Sequence, residues 1–130
     1  MKTTNWSLRS ASYWMVFLVA AGIIFVGVRF IISPAAGANG FGIPFGSGAD
    51  LAYGRIKGIR DIFSGLALLP FLVQRLRRPA AWVFTCAIVV PLTDFLIVLA
   101  TNGPADMAHL LVHGLTAVYM VITSVLLFKD

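Results

Sequence analysis

LAYGRIKGIRDIFSGLALLPFLV, residues 51–73, decides how this chain is folded. Its uncharged part, 62–73, rises only about 18 Å as a helix, whereas a hydrocarbon core about 30 Å thick needs roughly 20 helical residues. To cross a bilayer, the segment must carry Lys57, Arg60 and Asp61 below the surface. A charge near the membrane centre costs roughly 2.5 to 3.5 kcal/mol on insertion scales, so such groups need a partner or a task. The stretch therefore reads as a span that holds part of a site.

Three further stretches are long and apolar enough to cross: 13–32, 80–100 and 105–128. Breakers separate them: Ser33-Pro34 followed by the glycine-rich 37–48, then Arg78-Pro79, then Asn102-Gly103-Pro104. The short connections make neighbours antiparallel, so the expected fold is all-α: an antiparallel four-helix transmembrane bundle, one integral membrane domain over 1–130 with an outer glycine-rich loop at 33–50. Asn102 is placed to cap the fourth helix, with Pro104 in its first turn. Pro91 is placed to kink the third helix just before Asp94.

Composition agrees. The chain is 59% hydrophobic and 12% charged, far from the balance of a soluble domain. Its net charge of +5 does not point to nucleic acid, because the basic residues form no stripe interleaved with aromatics. The bilayer is the expected partner. Lys2, Arg9, Arg75, Arg77, Arg78 and Lys129 fall on one side of the four spans and the opposite loops hold no Lys or Arg, which places both termini in the cytoplasm, at the inner (plasma) membrane if the source is bacterial. Trp6, Tyr13, Trp14 and Trp82 then gather at the inner interface. Lys2 and Arg9 ahead of an apolar run, with Ala36-Gly37-Ala38 after it, imitate a signal peptide, but the run is longer than a signal core and contains Arg29. Cys86 reads as a small buried hydrophobe.

Counting helix rise from the outer ends of the spans puts Asp94 and Lys57 roughly 9 Å deep, His113 about 12 Å, and Arg60 and Asp61 about 14 Å. Arg29 is similar or slightly shallower. The agreement across helices predicts one polar cavity in the outer half of the bilayer, a buried charge cluster. Lys57, Asp61, Ser64 and Leu68 share a helix face with Gly54, Gly58 and Gly65 nearby, so another backbone can approach. His109 and His113 share a face of the fourth helix. Asp61 and Asp94 are too short to reach the interface and must be paired, as in a structural bridge from Arg60 to either, or protonated in place, whereas Arg29, Arg55 and Lys57 have stems long enough to snorkel. His113 also reads as a neutral core histidine bonded to a carbonyl, and His109 as interfacial. The two histidines with Asp94 make an incomplete metal shell, so no metal and no cofactor are expected. The 40–48 run lacks the strand and Gly-Lys-Ser/Thr ending of a phosphate loop, and its Phe41, Ile43 and Phe45 suit a segment folded over the outer mouth as a lid or anchor.

Gly27-Val28-Arg29-Phe30 with Pro34, Gly40-Phe41-Gly42-Ile43-Pro44, Lys57-Gly58-Ile59-Arg60-Asp61-Ile62 with Ser64-Gly65, Pro91-Leu92-Thr93-Asp94 and His113-Gly114 together resemble a domain-of-unknown-function family of small four-helix membrane proteins, the DUF4267 type. The architecture is more distantly similar to the DoxX-like four-helix membrane proteins. The resemblance implies a fold and no activity.

Three functions compete. The first is binding or transport of a small anionic or carbonyl-bearing ligand by Arg29, Lys57, Arg60, Asp61, Asp94, His109 and His113; Arg29, Lys57, Arg60, Asp61 and Asp94 sum to +1. Four helices are few for alternating access, so a transporter implies a homo-oligomer. The second is a membrane-embedded enzyme of isomerase, cyclase or hydrolase type on a lipophilic substrate, with Asp94 and His113 as acid and base; no serine-hydrolase elbow is present. The third is a scaffold or accessory subunit.

Overall fold

The computed structural model describes residues 5–129, so Lys2 of the charge count lies outside them. Among the described residues the chain is helical without strands: α1 (Ala11–Ile32), α2 (Pro34–Phe41), α3 (Gly48–Val73), α4 (Arg77–Ala87), α5 (Val89–Asn102) and α6 (Met107–Lys129). Only Ile88 parts α4 from α5. Pro91 has no N–H for the Ala87 carbonyl four residues back, and the ladder breaks there; the Ile88 N–H turns to Thr85 O instead, at 3.2 Å. Three rods are long and apolar enough to cross a membrane, α1, α4 with α5, and α6, the mark of an integral membrane protein. α3 matches them in length, at 26 residues, but carries Lys57, Arg60 and Asp61.

The segment expected as an outer loop is partly helical. Pro34 opens α2 directly behind α1, at a position whose N–H has no helical acceptor to lose. Gly42, at φ 107°, closes it in the left-handed conformation, and the N–H groups of Gly42 and Ile43 both return to Ala38 O, at 3.0 and 3.2 Å. α3 starts where the Asp50 carboxylate accepts from the N–H groups of Gly46 (2.7 Å) and Ser47 (3.1 Å).

α1 packs chiefly against α3, and α6 against α4 and α5. The α1–α3 contact is backbone on backbone. A Cβ on Gly27 would lie 2.5 Å from Gly58 O, and one on Gly65 would lie 2.6 Å from Ala20 O. Lipid is as apolar as a leucine, so close approach and dispersion, rather than escape from water, hold such helices together. Towards the Trp6 and Lys129 end, Trp6, Val16, Leu72, Phe84, Met120 and Leu127 form a shared apolar core. Trp6 stacks edge-on to Tyr13 at 5.1 Å and Tyr13 to Trp14 at 5.3 Å, so three of the four expected interfacial aromatics sit together. Trp82 meets Phe128.

Two local expectations are corrected. Asn102 ends α5 and does not cap α6, which starts at Met107 with Pro104 outside it; Asp106 stands ahead of α6 instead. Cys86 is exposed, because its side of α4 faces away from α6 and α3.

Candidate functional site

The polar residues of the sequence analysis gather around α2, which lies across the ends of α1 and α3. A short helix leaves its last carbonyls without intrahelical partners, and here side chains from α5 and α6 take them. Asn102 Nδ2–H donates to Gly42 O at 2.6 Å, His109 Nε2 lies 3.1 Å from Asn39 O, and His113 Nε2 lies 2.8 Å from Phe41 O. The carbonyl acceptor fixes the neutral His113 tautomer with the proton on Nε2, leaving Nδ1 as an acceptor. The carbonyl-bonded histidine of the sequence analysis is therefore present, and its acceptor belongs to α2.

Asp106 completes this latch. It accepts from Asn102 Nδ2–H at 2.8 Å and faces His109 Nδ1 with both oxygens, each at 2.9 Å. The bonds from Asn102 and then His109 hold its carboxyl below the ordinary carboxylate range. With a carboxylate on one ring nitrogen and a carbonyl on the other, both protons of an imidazolium at His109 find acceptors. The space for this ring comes from Gly42, where a Cβ would lie 2.7 Å from His109 Cγ.

Beneath α2, Lys57 pairs with Asp61 at 2.5 Å, one helical turn apart. The Lys57 ammonium also lies 4.5 Å from the Phe30 ring centre and 5.2 Å from that of Phe41, within cation–π range. The other face of this arrangement is His113, whose ring centre is 4.4 Å from that of Phe41. Asp94 lies within electrostatic range of Lys57, His113 and Asp61, yet has no hydrogen bond or ion pair among the described residues. Of the expected group of Arg60, Asp61, Asp94, His113 and Lys57, the structure pairs Lys57 with Asp61 and sets Asp94 within electrostatic range of Lys57, His113 and Asp61.

Arg60 is apart from them. Each residue turns a helix by about 100°, which puts Arg60 roughly 140° from the centre of the stripe of Gly54, Gly58 and Gly65, against roughly 80° for Lys57 and 40° for Asp61. It is exposed, and the bridge to Asp61 is made by Lys57. Arg55 is exposed as well.

Beside this group, α1, α2 and α6 enclose a pocket of about 240 Å³ lined by Phe25, Val26, Arg29, Phe30, Gly37, Gly40, Phe41, Val112 and His113. Arg29 and His113 are its polar side chains. The Arg29 guanidinium lies over Gly40, where a Cβ would stand 3.3 Å from Nη1, and it makes no ion pair or side-chain hydrogen bond among the described residues. No set of three or more metal-ligating side chains assembles there among the described residues. His109 and His113 each direct a ring nitrogen at an α2 carbonyl. Sequence reasoning missed the roles of Phe30, Asn39, Asn102 and Asp106. Asn102, Asp106 and His109, four and three residues apart, were the readable signal.

A family model described as Domain of unknown function (DUF4267) matches residues 20–127. The chain belongs to that family. No curated protein and no solved structure matches it.

Proposed function

We propose that this member of the DUF4267 family is a four-span membrane protein that binds or transports a small anionic or carbonyl-bearing ligand in the pocket beneath α2. One observation carries the ligand class: Arg29, whose guanidinium has no ion pair or side-chain hydrogen bond among the described residues, lines a pocket whose other walls are apolar apart from His113. Lys57 already has Asp61, and of the pocket-lining residues Arg29 is the cation without an ion pair among the described residues.

The fourth span is α3. At 26 residues it is about 39 Å long, enough to cross. The Lys57–Asp61 pair removes one net charge of each sign from the depth of the bilayer, and the long Arg60 stem reaches toward the outer headgroups. Its glycine stripe on α1 supports an antiparallel partner of similar depth. Arg9, Arg75, Arg77, Arg78 and Lys129 mark the cytoplasmic side, which puts both termini there and the polar cluster of Lys57, Asp61, Asp94 and His113 in the outer half of a bacterial plasma membrane. A transporter of this size is built from more than one copy.

A thermal-shift series on purified protein tests the ligand class. Carboxylates and ketones are expected to stabilise the wild type and not Arg29→Gln, with matched amines inactive. Stabilisation by amines that Arg29→Gln leaves intact would sink this reading.

Asp94 favours a second reading. An unpartnered carboxylate facing Lys57 and His113 is equipped to take up or give a proton, as an enzyme acting on a lipophilic carbonyl substrate requires. Ligand binding retained in Asp94→Asn with turnover lost would support it, and turnover retained would dismiss it.

A further inference from the structure

We infer that the occupant of the pocket is a single-chain anionic amphiphile that enters sideways from the bilayer, between α1 and α6. This rests on the ligand-binding reading above and narrows it to one class. The pocket is polar at one level and apolar at the next: Arg29 lies in the last turn of α1, near the membrane surface, and Phe25 lies about one turn deeper. A head group at Arg29 thus continues into a chain along Phe25 and Val112. Phe25 is 67% exposed and Val112 is 55% exposed, so this wall opens to lipid.

Arg29 and Gly40 are exposed at the head-group level, and Phe25 and Val112 are exposed below it. Gly40 and Phe41 roof the pocket, and the α2 carbonyls beside them are held by His109, His113 and Asn102. That latched helix narrows the approach from the aqueous side, whereas the wall of Phe25 and Val112 faces lipid. Deeper along the same seam the Tyr119 hydroxyl donates to Met15 O at 3.0 Å and ties α6 to α1, which confines the opening to the outer part. At about 240 Å³ the pocket falls below the roughly 300–1,000 Å³ of sites that enclose a drug-sized ligand. It suits a head group and the first methylenes of one chain, with the remainder left in the bilayer. The planar guanidinium matches a carboxylate or a phosphate monoester with two parallel hydrogen bonds.

Photolabelling in phosphatidylcholine nanodiscs tests this. The probe is palmitate with a mid-chain diazirine, competed by unlabelled palmitate, monoacyl phosphatidate, butyrate or inorganic phosphate. Labelling is expected on the α1 and α6 peptides that carry Phe25 and Val112, competed by at least one of the long-chain anions and by neither short one. Binding should weaken about tenfold in Arg29→Gln, the loss of a charge-assisted contact. Val112→Trp fills the portal, leaves Arg29 in place and should abolish the label, so one misfolded variant does not end the test. Labelling spread over all lipid-facing helices and unchanged by both variants overturns the inference. Competition by butyrate or phosphate as strong as by palmitate overturns the lateral amphiphile and leaves anion binding standing, whereas no competition by any anion overturns both.

Discussion

At the Trp6 and Lys129 end of the molecule, Phe84 and Trp6 are no more than 1% exposed and Leu127 is 2% exposed. Two of the polar groups among them are matched locally, Trp6 Nε1–H donating to Ser12 Oγ at 3.0 Å and Thr123 Oγ1–H to Tyr119 O at 2.8 Å, while Arg77 Nη1 is buried there without a hydrogen-bond partner among the described residues. At the opposite end Arg29 and Asp94 have no such partner among the described residues, and a pocket stands between three helices. The contrast teaches where the chain closes its packing over apolar side chains and where it leaves a pocket with a cation on its wall, a division between cohesion and a candidate site. Substitutions should divide accordingly, with large losses of stability and intact ligand binding at the first end, and the reverse at the second.

The largest effect is expected from Phe84→Ala. It should cost about 3 kcal/mol, the low end for this truncation because lipid supplies no transfer term, while binding at permissive temperature is kept. Thermal melts in detergent alongside ligand titration check both halves of that statement. Next comes Asp61→Asn, which strands the Lys57 ammonium. Because the Lys57 side chain is 35% exposed, a loss of about 2 kcal/mol is expected, short of the roughly 3–5 of a fully buried pair, and the double change Lys57→Met with Asp61→Leu should recover most of it.

A smaller effect, about 1 kcal/mol, is expected for Asn102→Ala, read as faster hydrogen exchange over residues 34–42 and little change elsewhere. The same exchange should respond to acid. The Asp106 carboxyl is held below its usual range, so its contribution is complete above the unfolded value of 3.8 and is lost only as pH falls through its own lower folded value. Protection over 34–42, taken relative to the intrinsic exchange rate, that was already lost at neutral pH would break this account. Asp94→Asn should be the mildest for stability, within about 0.5 kcal/mol, since no hydrogen bond or ion pair is removed. A loss comparable to that of Phe84→Ala would erase the distinction between the two ends.

Much of this was legible in the chain. Hydropathy and the Pro and Gly breakers placed the long helices to within a few residues, because membrane crossing fixes length and composition together. The Lys57–Asp61 pair follows from a spacing of four, and the interruption before Asp94 from Pro91. Arg60 was harder. It adjoins Asp61 in sequence, and only the angular position of the glycine stripe, which depends on what α3 packs against, separates them. α2 was read as loop because Gly37, Gly40 and Gly42 dominate it; the helical signal was Pro34 in first position with a closing Gly42. Its stability comes from Asn102, His109 and His113, and contacts across 60 to 72 residues leave no local trace.

That separation has a consequence for how the protein is made. The side chains that hold the Asn39, Phe41 and Gly42 carbonyls are synthesised 60 to 72 residues after them. At about 5–20 residues per second, α2 waits several seconds or more for its partners. Until the last helix has been inserted, those carbonyls must be solvated by water or lipid headgroups. The docked state of α2 therefore reports that biogenesis has reached completion, and a chain halted before Met107 would carry an undocked one.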